Sequence, residues 1–194
     1  MLIVIPFNSE QAEQAEALLD WIYALSGKAQ SGSCLLIAAS DLHPEYQLKV
    51  RLAAEVAFSN VELAIANKDN LFETAVAKVR EIYKTPWLCL EPDCVPLKPD
   101  WQKQLSDFYD AQPKRCAGSH LIDKESGKQW LARQSIYPPD NFPADTFLAS
   151  TKYRLIQQGT FGKDLIRADA VLFCSDKSGE LIKSLREELN GNRA

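Results

Sequence analysis

The sequence predicts an open α/β domain, a single mostly parallel sheet with helices on both faces and a small antiparallel hairpin in its second half. Three observations carry this reading. Strand and helix signals alternate through residues 1–111, and that alternation favours parallel strands joined by helical crossovers. The strand segments are short, continuous apolar runs, the pattern of strands covered on both faces. Polar residues also gather where four of those runs stop: Asn8-Ser9, Ser40-Asp41, Asn67 to Asn70 and Glu91 to Asp93. In sheets of this kind ligands bind outside the carboxyl ends of the strands.

The elements follow in order. The run "LIVIPF" (2–7) is the first strand. The segment "SEQAEQAEALLDWIYAL" (9–25) is a helix, with Ser9 as its N-cap and Ala15, Leu18, Leu19 and Ile22 at helical spacing. Gly27 and Gly32 punctuate before a second strand at 33–39, which Ser40 and Asp41 close. A helix over 44–59 starts with Pro44 in its first turn and stops near Asn60. A shorter strand (61–66), the polar turn "NKDN", a helix (71–83), a fourth strand (86–91) and a helix (99–111) complete this half.

Past residue 112 the pattern changes. Segments 115–122 and 128–137 read as a hairpin around "DKESGK". Three prolines within 137–145 make a stiff, irregular loop. Segment 146–158 is predicted helical, 168–175 a late strand and 178–189 a terminal helix. No linker, repeat or low-complexity tract divides the chain, so residues 1–194 are expected to form one domain with a ligand-binding half (1–111) and a second half (112–194).

Composition sets the outer bounds. At 194 residues, 46% hydrophobic and 25% charged, the chain is long enough for a proper core and is neither disordered nor fibrous. A net charge of −4 gives no general attraction to phosphate backbones or anionic membranes. No apolar run approaches the roughly 20 residues of a membrane helix. The start "MLIVIPFN" lacks a basic region and meets Pro6 and Asn8 too early for a signal peptide. The five cysteines are scattered without a CxxC pair, which disfavours zinc or a disulfide framework and fits a reducing cytoplasm.

Glu91 and Asp93 end an apolar strand, and Pro92 and Pro96 box them in. Carboxylates so placed either solvate a turn and cap the helix beyond Pro99, or hold a hard divalent cation. Mg²⁺ and Mn²⁺ prefer oxygen ligands and bridge carboxylates to a substrate's phosphates.

Residues 66–105, "ANKDNLFETAVAKVREIYKTPWLCLEPDCVPLKPDWQKQL", resemble the central block of GT-A glycosyltransferases, where a strand ending in D-x-D precedes "P-x-W-x-x-x-L". The openings "LIVIPFNSEQAEQAEALLDWI" and "CLLIAASDL" are similar to that fold's first two strands, and "QWLARQSIYPPDNFPAD" and "AVLFCSDKSGELIKSL" are similar more loosely. The resemblance is to the nucleotide-diphospho-sugar transferase superfamily, family-2-like, with a Rossmann-like GT-A sheet. It implies a hexosyltransferase that uses Mn²⁺ or Mg²⁺, a nucleotide-sugar donor and an acceptor of unknown identity.

By this resemblance Asp93 is the direct metal ligand, Glu91 acts through water or on the sugar-ribose part, and Asp41, Asn8, Ser9 and Asn70 line the nucleotide site. Asp41 is equally a helix cap before Pro44. The D-x-D pattern is E-x-D here. The family's late histidine is absent from "FCSDKSGEL", where Asp176 stands in as a metal ligand and Lys177 pairs with a diphosphate oxygen. A carboxylate in the proline-rich loop is expected as general base, Asp145 ahead of Asp140. The shortness of the chain and the missing histidine keep a second reading open, a non-catalytic module that binds a nucleotide-sugar or a protein, with a homo-oligomer or partner subunit completing it. A nucleotidyltransferase would need a glycine-rich loop after the first strand, and "IPFNSEQ" has none.

Overall fold

Six consecutive apolar residues need neighbours on every side, and β1 (Leu2–Phe7) has them, with all six residues buried. In this computed structural model the described residues are 1–27, 29–111, 116–122, 129–139, 147–148 and 155–191. After β1 come α1 (Ala12–Ser26), β2 (Ala29–Ala39), α2 (Pro44–Ala57), β3 (Phe58–Ala66), α3 (Leu71–Lys78), β4 (Trp87–Cys89) and β5 (Cys94–Pro96). The remainder is α4 (Trp101–Asp110), β6 (Cys116–Ile122), β7 (Gln129–Tyr137), β8 (Phe147–Leu148), β9 (Ile156–Gln158), β10 (Leu172–Cys174) and α5 (Ser178–Gly191).

The main sheet has the order β3-β2-β1-β4-β7-β6-β8. Strands β3, β2, β1 and β4 are parallel, β7 runs antiparallel to β4, and β6 and β7 form the expected hairpin. A second sheet, β5-β10-β9, has one antiparallel and one parallel pairing. The period-two alternation of β1 divides the core. Ile3, Ile5 and Phe7 pack with α1, α2 and α4 on one face. Leu2 and Val4 pack with Ala75 and Val79 of the α3 segment, Trp87 and Tyr137 on the other.

Several boundaries differ from the sequence reading. Helix α1 starts at Ala12, because Asn8 and not Ser9 organises the entry: Asn8 Oδ1 accepts the backbone N–H groups of Glu10 and Gln11 at 2.9 and 3.1 Å. Strand β3 begins at Phe58, whose 1% exposure draws the chain into the sheet before Asn60. The helix expected over 71–83 widens into a π turn at Val79–Tyr83 and stops at Lys84, which is left-handed at φ 47°.

The helix expected over 146–158 is a correction. Phe147–Leu148 and Ile156–Gln158 are strands, and residues 149–154 lie outside the described residues. Ile156 is buried beside Leu172, so pairing with β10 overrides local propensity there. The cysteine reading is corrected as well. Cys94 and Cys174, register partners on β5 and β10, form a disulfide, whereas Cys34, Cys89 and Cys116 are free and buried.

Candidate functional site

The parallel register puts the ends of β1, β2, β3 and β4 on one edge of the sheet, with Phe7 beside Ala38, Ala39 beside Ala66 and Val4 beside Cys89. Strand β4 leaves this edge first. Leu90 N–H still donates to Val4 O at 2.8 Å, and the next turn begins at Glu91. By the same alternation the backbone nitrogen of Pro6 faces the place β4 has vacated, so the missing N–H there costs no ladder bond. The chain therefore turns out of the sheet where the two carboxylates stand.

Glu91 and Asp93 are brought together in a largely buried setting. Burial raises the Glu91 carboxyl to a pKa of about 7; the negative charge of Asp93 adds to this and Arg133 opposes it. Burial also raises the Asp93 pKa, against hydrogen bonds from Gln134 and from its own backbone. The amide of Gln134, itself buried, donates from Nε2 to Glu91 Oε2 and also bonds the Asp93 carboxylate. Its Oε1 accepts from Gln158 Nε2 at 3.4 Å. Asp93 Oδ1 is buried without a hydrogen-bond partner. No ion pair reaches either carboxylate among the described residues.

An unpartnered buried carboxylate oxygen is costly, and a second acid beside it adds to the cost. The pair fits a hard divalent cation, which prefers oxygen ligands and would supply the missing partner. Glu91 and Asp93 would hold it, with Gln134 orienting both carboxylates.

The other expected residues are placed less uniformly. Asn8 and Ser9 follow β1, and exposed Asp41 follows β2, so all three sit on the same sheet edge as the acids. Asp41 is not the helix cap, since His43 Nδ1 accepts from Glu45 N–H at the start of α2. Asn70 lies one turn further on and lines a depression along α3 with Glu73, Thr74, Lys78 and Glu81. Asp176 and Lys177 are exposed on the turn after β10, and the Lys177 ammonium meets Glu180 at 3.2 Å. That turn is tied to the acidic loop by Ser175 N–H donating to Asp93 O at 3.0 Å and by the Cys94–Cys174 disulfide. Among the described residues no three Asp, Glu, His or Cys side chains converge as metal ligands, so Asp176 does not complete a cluster with Glu91 and Asp93. Asp140 and Asp145 lie outside the described residues.

Sequence reasoning missed Gln134, Gln158 and the disulfide. Gln134 carries no local signal; its role arises because β7 pairs with β4. Tyr137 stacks on Trp87 at 4.7 Å in the core. Two depressions of about 460 and 480 Å³ lie elsewhere, one near Met1 and Trp101 and one along α3. Burial and chemistry mark the acid pair, which neither of these two depressions contains.

No protein-family model matches the chain, and no curated protein matches it in sequence. Solved structures do match. The galactosyltransferase LgtC, in complex with donor and acceptor sugar analogs, is 15% identical over 70% of this chain and 56% of its own, with a TM-score of 0.48. The mannosyltransferase PcManGT from Pyrobaculum calidifontis, in complex with GDP-Man and Mn²⁺, is 18% identical over 64% of this chain and 36% of its own, at 0.47. Residues 1–349 of TarS from S. aureus match 95% of this chain and 65% of their own, at 10% identity and a TM-score of 0.54. That last match follows nearly the whole chain.

The fold is GT-A.

The GT-A likeness covers little more than half of the LgtC chain. Within the GT-A framework the acid pair occupies the carboxyl end of β4, and the hairpin β6–β7 carries Gln134 against it. No helix among the described residues is long and apolar enough to cross a membrane.

Proposed function

We propose that the chain is a metal-dependent glycosyltransferase that moves a hexose from a nucleoside-diphosphate sugar to an acceptor hydroxyl. One observation carries the reading: the buried, unpartnered Oδ1 of Asp93 beside the half-buried Glu91 carboxyl, on the sheet edge where a GT-A fold binds its ligand. A bound Mn²⁺ or Mg²⁺ would offset the charge of the diphosphate leaving group. Glu91 and Asp93 hold that ion, and Gln134 keeps both carboxylates oriented. Asn8, Ser9 and Asp41, at the neighbouring strand ends, face the nucleoside. Lys177 exchanges Glu180 for a diphosphate oxygen, a role suited to a flexible ammonium. In an inverting reaction Asp145, or failing it Asp140, takes the proton from the acceptor hydroxyl.

Residues 1–111 form the donor half of one domain and 112–194 the acceptor half. A cytoplasmic location belongs to the same proposal. Three free buried cysteines support it and the Cys94–Cys174 disulfide opposes it, so the redox state of that pair in cell extracts tests it.

Calorimetric titration of UDP and GDP, with Mn²⁺ and with chelator, tests the reading. Binding should require the metal and be lost in Asp93→Ala. With a binding nucleotide-sugar as donor, Asp145→Asn should abolish turnover while donor affinity stays near wild type. Equal binding in chelator would overturn the metal role. Metal-dependent binding without transfer to any acceptor would favour the non-catalytic module.

A further inference from the structure

Strand β7 leaves its ladder as it passes the acid pair. Gly118 and His120 of β6 face Ser135 and Leu131 of β7, so the single residue Ser119 stands against Ala132, Arg133 and Gln134. The surplus on β7 is a bulge, and it is built into the core. Ser135 Oγ donates to Ala132 O at 2.6 Å and Tyr137 Oη donates to Arg133 O at 2.9 Å, both from buried side chains. Gly118 leaves the space that Ser135 Oγ fills. Bulges re-aim side chains. This one turns Gln134 inward onto Glu91 and leaves the preceding Arg133 exposed.

The Arg133 guanidinium lies over the Phe72 ring, 5.8 Å from its centroid. Such stacking engages the face of the cation and not the N–H groups on its rim. Its positive charge reaches the Glu91 carboxyl, yet no ion pair holds it among the described residues. A planar fork of donors presented in this way suits an anion that arrives with a ligand. The sheet order indicates which ligand. Strand β4, which ends at the acids, separates β7 from β1, β2 and β3. Asn8, Ser9 and Asp41 follow β1 and β2, so a nucleoside on those strand ends lies on one side of the acid pair. Arg133 lies on the other, the side left for the acceptor.

We propose that Arg133 is a specificity residue for the acceptor and grips an acidic group, a phosphate or a carboxylate, on the molecule that receives the sugar. The inference rests on the glycosyltransfer reading and goes beyond it by naming the acceptor class. A guanidinium fork matches either acidic group bidentately. Two carboxylates and a diphosphate would otherwise repel an acidic acceptor, and Arg133 offsets that repulsion on the acceptor side.

NMR titration of the full chain in chelator tests the assignment, with glucose 6-phosphate, glucuronate and glucose as probes. The Nε–H resonance of Arg133, identified by its loss in Arg133→Met, should shift to saturation with at least one of the two acids. The Kd should be millimolar, as a single bidentate contact allows. The tighter of the two acids separates a phosphate from a carboxylate, and glucose should leave the resonance unmoved. Followed at the backbone amides of β7, Arg133→Met should weaken binding of the acid about tenfold. Arg133→Lys should weaken it less, because an ammonium keeps the charge without the fork. An amide spectrum unchanged outside β7 shows that each variant is folded. UDP with Mn²⁺ should bind wild type and Arg133→Met alike and should not displace the acid. A response to glucose equal to that of the acids, or none to either acid, would overturn the inference. Displacement of the acid by UDP, or a loss of UDP affinity in Arg133→Met, would also overturn it, by assigning the guanidinium to the donor's diphosphate. A wild type that binds the acid through Arg133 but neither UDP nor GDP with Mn²⁺ would uphold the anion site and overturn the glycosyltransfer reading.

Discussion

Replacing Glu91 with glutamine isolates the energetic cost of the acid pair. The change keeps the shape of the side chain and an acceptor for Gln134 Nε2, and removes the charge. In the folded protein the Glu91 carboxyl titrates at about 7, against an ordinary value of 4.5, chiefly because burial disfavours the ionised form and Asp93 adds its negative charge. A raised folded pKa means that this group's contribution to stability is complete below about 4.5 and is lost as pH rises through about 7. Integrating between those values, wild type should lose about 2.5 kcal/mol relative to Glu91→Gln between pH 5 and pH 8. Urea unfolding of both proteins at several pH values in chelator reads this as a difference in which the titrating groups remote from the Glu91–Asp93 pair cancel. Mn²⁺ added at pH 8 should restore most of the loss in wild type and much less of it in Glu91→Gln, because the ion replaces the proton as the partner of the carboxylate. Wild-type and variant curves that run parallel from pH 5 to pH 8 would refute the buried, charge-strained pair.

Three further outcomes are expected. Gln134→Leu removes the amide that bonds both carboxylates and should lower stability by about 1–3 kcal/mol, more at pH 8 than at pH 5, because the ionised acids lose their donor; equal losses at both pH values would separate Gln134 from the acids. Cys174→Ser, or reduction of the wild type, opens a cross-link between residues 80 apart and should cost about 2–4 kcal/mol in urea unfolding; an unchanged midpoint on reduction would mean that the link contributes nothing. Gly118→Ala would put a methyl 1.8 Å from Ser135 Oγ and 3.1 Å from Ser135 Cα across the β6–β7 pairing. It should lower stability by about 1–3 kcal/mol by overpacking, and a melting temperature equal to wild type would show that β7 yields there.

The sequence determined the parallel half of the fold and the edge on which chemistry would lie. Continuous apolar runs such as residues 2–7, separated by periodic helices, have one economical arrangement, and the polar residues after each run must then share one edge. Glu91 and Asp93 were legible for the same reason, since two acids closing a buried strand stand out locally. Pairings between distant segments were not legible. Ile156 joins a sheet instead of a helix because β10 lies beside it. Cys94 meets Cys174, and Gln134 meets Glu91, because the antiparallel pairings of β5 with β10 and of β4 with β7 bring them into register. Local periodicity records which face of an element is buried, but not which element covers it. What only the tertiary structure decided is therefore the neighbourhood of the two carboxylates: the amide that spans them, the burial that raises their pKa values and the oxygen left without a partner. Each depends on segments some 40 to 80 residues away, whose positions are set by packing and strand pairing rather than by propensity.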